Sequence, residues 1–277
     1  MKKPIVGLLY DFDKTLCTDD MQSYDLIPNL GMTPSEFWGK TQEFTDKTGV
    51  ERILSYMYVM VNLAKEKGIE LTRDYLKSTG QNIEFFRGVK SWFKRINAYG
   101  EELGVQIEHY LVSSGNKEII EGCAIADEFM ATFACEFYYD EQSKHPVWPK
   151  TFINYTAKTQ YLFRISKGVL DTRDDDSVNR KVESRRIPYR NIVYFGDGLT
   201  DIPIMILVKE NGGKSIAVYQ ENNRDVVRQL FQDERVNFIC KADYSAGSEL
   251  DKVVKLIIQE IAVSHELSKK QIELLQK

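Results

Sequence analysis

Four short stretches carry the side chains that could do chemistry: Asp11-Phe12-Asp13-Lys14-Thr15, Ser113-Ser114-Gly115-Asn116, Ala157-Lys158-Thr159 and Gly196-Asp197-Gly198-Leu199-Thr200-Asp201. The first, second and fourth each follow directly on an apolar run, and Lys158 opens a helical pattern. Carboxylates at the ends of two strands can bracket a hard divalent cation. Mg²⁺ takes one or two carboxylates and keeps positions for water and phosphate oxygens. Without a cation such aspartates repel one another. The serine hydroxyls, the N–H groups of Ser114 and Gly115 and the Lys158 ammonium are donors suited to phosphoryl oxygens. Together these residues describe a site for one phosphate group beside Mg²⁺.

Spacing supports that reading. At a strand end, residues i and i+2 point to the same side, so Asp11 and Asp13 can reach one substrate while Phe12 turns into apolar packing. The four-residue step from Asp197 to Asp201 places both carboxylates on one side of a turn entering a helix, with Gly196 and Gly198 expected to permit close backbone approach. Ser113 directly follows the strand and is preferred to Ser114 as the hydroxyl donor, since Ser114 could serve through its N–H or as a helix cap. Lys158 is preferred to Lys150 and Lys167, which read as solvated surface lysines.

The elements that must position these groups follow from the apolar pattern. Ile5 to Tyr10, His109 to Val112, Ile192 to Phe195 and Ile216 to Val218 read as buried parallel strands. Val89, Trp92, Phe93 and Ile96, and later Val253, Val254, Ile257, Ile258 and Ile261, each mark one face of a helix. The fold class expected is α/β, a doubly wound parallel sheet, with ligands bound beyond the carboxyl ends of its strands. About a hundred residues separate the first two strands, far more than one crossover helix needs. A helical module is therefore expected at 18–84, inserted into a core formed by 1–17 and 85–277. Residues 131–155, with aromatic and β-branched side chains around Pro146 and Pro149, read as a strand followed by a β-hairpin. The charged stretch 171–186 suits an exposed loop or helix extension.

Composition bounds the partners. Of 277 residues, 43% are hydrophobic and 28% charged, with 17 Gly and 7 Pro, which excludes a disordered or collagen-like chain. Lys and Arg number 37 against 41 Asp and Glu, a net charge of −4 that provides no footprint for nucleic acid or a membrane surface. Cys17, Cys123, Cys135 and Cys240 form no CxxC pair and read as buried reduced thiols, and His109, His145 and His265 are too scattered for zinc. The apolar run after Lys3 meets two aspartates instead of a cleavage site, and no spanning segment follows. A cytoplasmic location is expected.

Taken in order, DFDKT, VSSG, AKTQYL and GDGLTD resemble the four motifs of the haloacid dehalogenase-like (HAD) hydrolase superfamily, over residues 3–16 and 85–262. The pattern is most similar to the phosphoserine phosphatase-like branch, which also places a helical cap after the first motif and continues with segments like DIPIM and SIAV. The resemblance implies that Asp11 is a nucleophile forming an aspartyl-phosphate and that Asp13 is the acid and base. It further implies that Thr15, Ser113 and Lys158 hold phosphoryl oxygens. Mg²⁺ would be held by Asp11, the Asp13 main-chain carbonyl and Asp197, with Asp201 in support. Lys14 departs from the frequent glycine and Thr200 from the usual Asn, while Asp20 stands where phosphoserine-specific members carry a substrate-sensing acid. The implied activity is Mg²⁺-dependent hydrolysis of a small phosphorylated metabolite. Alternatives are a phosphosugar mutase and a non-catalytic phosphometabolite-binding protein.

Overall fold

A computed structural model describes residues 3–221 and 223–276. The chain begins with strand β1 (Ile5–Tyr10), then runs through four helices, α1 (Leu26–Asn29), α2 (Pro34–Thr48), α3 (Arg52–Glu66) and α4 (Arg73–Ser78), before the crossover helix α5 (Val89–Glu102) leads into β2 (Gln106–Asn116). Next come α6 (Lys117–Glu121), β3 (Ala131–Tyr139), β4 (Pro146–Thr151), α7 (Lys158–Lys167) and α8 (Asp175–Asn179). The last part alternates β5 (Ile192–Gly196), α9 (Ile202–Glu210), β6 (Lys214–Tyr219), α10 (Arg224–Gln232) and β7 (Phe238–Lys241), and ends in α11 (Glu249–Leu275).

The seven strands form one sheet in the order β4-β3-β2-β1-β5-β6-β7, parallel except for the antiparallel β3–β4 pair. β1 lies at the centre with Val6, Leu8, Leu9 and Tyr10 fully buried, as expected for a strand covered on both faces. The chain winds outward from β1 through β2 and β3, then returns to pair β5 against the other edge of β1. That reversal opens a crevice beyond the carboxyl ends of β1 and β5, where ligands of such sheets bind.

Beneath the crevice, Trp92 Nε1–H donates to the Tyr10 hydroxyl at 2.9 Å, and Tyr10 bonds His109 Nδ1 at 3.0 Å. Burial pushes His109 down to about 3, so its imidazole is a neutral part of the core.

The segment between β1 and α5 leaves and returns at one place. Cys17 and Phe85 form an antiparallel bridge, flanked by Thr18 N–H to Glu84 O at 2.9 Å and Phe86 N–H to Leu16 O at 3.0 Å. Its helices are locally encoded. Thr33 and Glu36 make a reciprocal capping box at the start of α2, and Gly49 ends that helix in the left-handed conformation. At the far end, Arg73 on α4 reaches Glu121 at 2.8 Å and Glu136 at 3.1 Å.

Three details differ from the sequence expectation. β3 pairs directly with β4, so the hairpin is the strand itself folding back and not a later addition. β7 is a four-residue edge strand, too short for a period-two pattern to show. α11 continues well past Ile261, with Leu267, Leu274 and Leu275 exposed. In the charged stretch 171–186, α8 is the only helix, and Arg164 binds the carbonyls of Asp171 and Thr172.

Where α4 meets α6, the backbones approach so closely that a Cβ on Gly122 would overlap the Lys77 carbonyl. Gly122→Ala should therefore destabilise the protein by about 1–3 kcal/mol through overpacking. Urea unfolding checks this, and an unchanged midpoint would contradict the close approach.

Candidate active site

The crevice positions its groups through the strand register. Tyr10 stands beside Phe195, and the Asp11 N–H donates to the Phe195 carbonyl at 2.9 Å, which ties the residue after β1 to the end of β5. Asp197 follows β5, and a single 3-10 turn brings Asp201 to the head of α9. Asp11, Asp197 and Asp201 each offer one carboxylate oxygen, all within 4.8 Å of one another. Lys158, the first residue of α7, reaches in from the side. Its ammonium lies 2.9 Å from Asp11 Oδ1 and 2.6 Å from Asp201 Oδ1. The Tyr194 hydroxyl donates to the same Asp201 oxygen at 2.7 Å. The other oxygen, Asp201 Oδ2, is buried with no hydrogen-bond partner. Gly196 is required here, because a Cβ would collide with the Asp201 carboxylate, whereas one at Gly198 would meet open space. The expectation of close approach holds for the first glycine and not for the second.

Three carboxylates face one ammonium, so the cluster carries excess negative charge in a partly dry setting. Burial, then repulsion from Asp201, pushes the Asp11 carboxyl up to about 7 despite the neighbouring Lys158. Burial and the charges of Asp201 and Asp11 also hold Asp197 well above the usual carboxylate range. Burial alone would lower the Lys158 ammonium, yet Asp11 and Asp201 overcome it and hold the group above its ordinary value. A net deficit of positive charge, oxygen-only donors and one orphaned carboxylate oxygen fit a hard dication.

A cavity of about 600 Å³ opens over the cluster, lined by Asp11, Asp13, Asp197 and Lys158 on the sheet side. Phe12 is fully buried with its ring edge-on to Phe85, so Asp11 and Asp13 do share one side. Asp13 is not in the three-carboxylate group; its Oδ1 accepts the Met21 N–H at 2.8 Å. Burial, then the charges of Asp20 and Asp11, holds its carboxyl well above the usual range. Ser114 lines the cavity, and its hydroxyl is buried without a partner. Ser113 is fully buried, and its Oγ accepts the Gly115 N–H at 3.0 Å. That back-bond turns the preferred hydroxyl of Ser113 inward and also occupies the Gly115 N–H expected to be free for phosphate. Thr15 is fully buried and does not line the cavity; its carbonyl accepts the Tyr244 hydroxyl at 2.7 Å. Lys150 is exposed and pairs with Glu136, and Lys167 caps the carbonyls of Val178 and Arg180.

Comparison with known proteins bears on the fold. No protein-family model matches the chain. An uncharacterized protein of Borreliella burgdorferi is 28% identical, covering 95% of this chain and 99% of that one. A HAD family hydrolase from Salmonella enterica serovar Typhi superimposes with a TM-score of 0.59 at 14% identity, over 92% of this chain and 72% of the other. A phosphoserine phosphatase solved as a phospho-aspartyl intermediate analogue superimposes with a TM-score of 0.57 at 18% identity, over 92% and 99%. This is the HAD-like fold.

Within the HAD-like crevice, several lining groups lay outside the four motifs. Trp38, Thr41 and Gln42 of α2 and Arg52, Ile53 and Tyr56 of α3 line the same cavity. The Tyr56 hydroxyl donates to the Ser114 carbonyl at 2.8 Å, joining the helical segment to the end of β2. The Trp38 indole N–H is buried without a partner. Helical periodicity gives these residues to a core and says nothing of which turn faces the crevice. Tyr194 carried a better signal, since a tyrosine in a fully buried strand must find a partner for its hydroxyl.

Lys14 stands apart. It adopts φ 56, a left-handed conformation that costs a non-glycine residue roughly 1–2 kcal/mol. Its ammonium pairs with Asp20 at 2.8 Å, both side chains being partly exposed, and such a pair contributes about 0–1 kcal/mol. Stability does not account for a lysine here.

Two measurements test the charge balance. Lys158→Met leaves two buried carboxylates without their cation, so it should cost about 3–5 kcal/mol in metal-free buffer; a change under 1 kcal/mol in denaturant unfolding would contradict the role of the pair. A raised carboxyl pKa penalises the folded state once it ionises. Both states are protonated below the unfolded value near 3.9. The penalty then grows up to the folded value, about 7 for Asp11. Bound Mg²⁺ offsets that charge, so the rise in Tm on replacing EDTA with Mg²⁺ should be larger at about pH 8 than at about pH 5. A rise that shrinks over that interval would contradict the assignment.

Proposed function

We propose that this chain is a Mg²⁺-dependent phosphomonoester hydrolase that works through an aspartyl-phosphate on Asp11. One observation carries the reading: a carboxylate at the end of the central strand is held by a buried lysine and faces a cavity whose opposite wall is helical. A site that only bound phosphate would need neither this nucleophile nor the nearby Asp13. That a phosphoserine phosphatase of the same fold has been solved as a phospho-aspartyl intermediate analogue supports the proposal.

The chemistry follows from the positions. Lys158 keeps one Asp11 oxygen ion-paired, which favours the ionised nucleophile and fixes its direction. The phosphoryl oxygens take donors from Lys158 and from the Ser114 hydroxyl, which has no other partner. Asp11 attacks phosphorus while the ester P–O bond breaks, and Asp13, whose surroundings favour the protonated form, gives its proton to the leaving oxygen. Asp13 then accepts a proton from water as that water attacks phosphorus, the Asp11–phosphorus bond breaks, and inorganic phosphate departs. Asp11, Asp197, Asp201 and the Asp13 main-chain carbonyl would hold Mg²⁺, which supplies charge neutralisation for the phosphoryl group.

Residues 18–84 act as a cap in this proposal, with Trp38, Arg52 and Tyr56 closing the cavity over a small substrate and excluding water. Among the described residues no helix is long and apolar enough to cross a membrane. The four cysteines are buried and unpaired, which supports a reducing cytoplasm as the working compartment. The partner we propose is a small phosphorylated metabolite, with no part for nucleic acid or membrane.

Asp11→Asn should lower hydrolysis of p-nitrophenyl phosphate in Mg²⁺ about a thousandfold or more, with an unchanged circular dichroism spectrum. Activity persisting near the wild-type rate would remove Asp11 as the nucleophile.

A further inference from the structure

Four carboxylates line the cavity: Asp11, Asp13, Asp197 and Asp20. The first three serve the nucleophile, the acid and the metal in the reading above. Asp20 is left as the one acid that could pair with a positive charge on a substrate. It is already paired, because Lys14 Nζ donates to Asp20 Oδ1 at 2.8 Å and lies 3.8 Å from Asp19. The lysine reaches that position from a left-handed backbone that glycine would adopt without strain, and outliers of this kind persist where function requires them.

On the reading that the site cleaves phosphomonoesters, we propose that Lys14 is a built-in counter-ion for Asp20. It makes the cavity select esters whose leaving group presents hydroxyl or carboxylate oxygens, and reject those that carry an ammonium. A substrate ammonium would have to displace Lys14 from Asp20 Oδ1 or lie beside it on the other oxygen, a like-charge contact that discriminates between ligands more strongly than it alters overall affinity. The remaining groups on that wall agree. Arg52, which lines the same cavity, adds a guanidinium, so an oxygen on the leaving group finds a charged donor. Gln22 Oε1 is an acceptor without a partner, but it is neutral and cannot offset an ammonium charge.

The test compares 3-phosphoglycerate with O-phosphoserine, which differ only in a hydroxyl or an ammonium at one carbon. Each is measured as a competitor of p-nitrophenyl phosphate hydrolysis, so a constant is obtained whether or not the ester is turned over. The wild-type protein should favour 3-phosphoglycerate by about tenfold or more, and Lys14→Gly, which keeps the backbone conformation, should shrink that ratio about tenfold. Lys14→Asn, also tolerant of the left-handed region, should do the same, and adding Asp20→Asn to either variant should restore the preference. Equal or better binding of O-phosphoserine to the wild type, or a ratio unmoved in both Lys14 variants, would overturn the proposal. Absence of any p-nitrophenyl phosphate hydrolysis is a separate outcome that removes the hydrolase reading and the selectivity with it.

Discussion

Lys158 shares its ammonium between Asp11 and Asp201, and the geometry of the crevice depends on that contact. The two acids come from opposite sides of the sheet's reversal point, one after β1 and the other after β5, and they would repel if brought together alone. One ammonium is enough to hold them in place and too little to neutralise the cluster. The remaining negative charge is what makes the site suited to a dication and, with it, to a phosphoryl group. Buried pairs of this kind seldom contribute net stability, since desolvating the charges costs as much as their attraction returns. The arrangement is better understood as a preorganised electrostatic environment than as a fold-stabilising one.

The rest of the molecule serves to keep this cluster in place and covered. The central strand is buried on both faces, its Tyr10 is locked by Trp92 and His109, and its register with β5 fixes the separation of Asp11 from Asp197. The helical segment leaves and returns at the bridge of Cys17 and Phe85, packs α4 against α6, and touches β2 and β3 through Tyr56 and Arg73. Met21 also donates its N–H to Asp13 Oδ1, so the placement of this segment and that of a site carboxylate are linked.

Much of this was legible in the sequence because the strands and motifs are local signals. The apolar runs ending at Tyr10 and Phe195 located both strand ends, and the i, i+2 and i, i+4 spacings of the aspartates put their side chains on the correct side. Lys158 was found for a similar reason, standing as the first residue of its helix. What could not be read depended on side-chain partners distant in sequence or on local back-bonding. The hydroxyl of Ser113 turns inward to the Gly115 N–H, so Ser114 faces the cavity. Thr15 is fully buried, and no spacing rule could separate burial from substrate contact. Trp38, Arg52 and Tyr56 sit on amphipathic helices whose periodicity is satisfied equally by a core and by a cavity wall.

The central claim is that the lysine-held carboxylate of Asp11 becomes phosphorylated. Acid quenching within milliseconds of mixing the protein with a phosphomonoester and Mg²⁺, followed by peptide mass mapping, reads this directly. The account predicts a phosphoryl adduct on the peptide containing Asp11 that hydroxylamine releases. Turnover with no adduct on Asp11, or an adduct on another side chain, would contradict it.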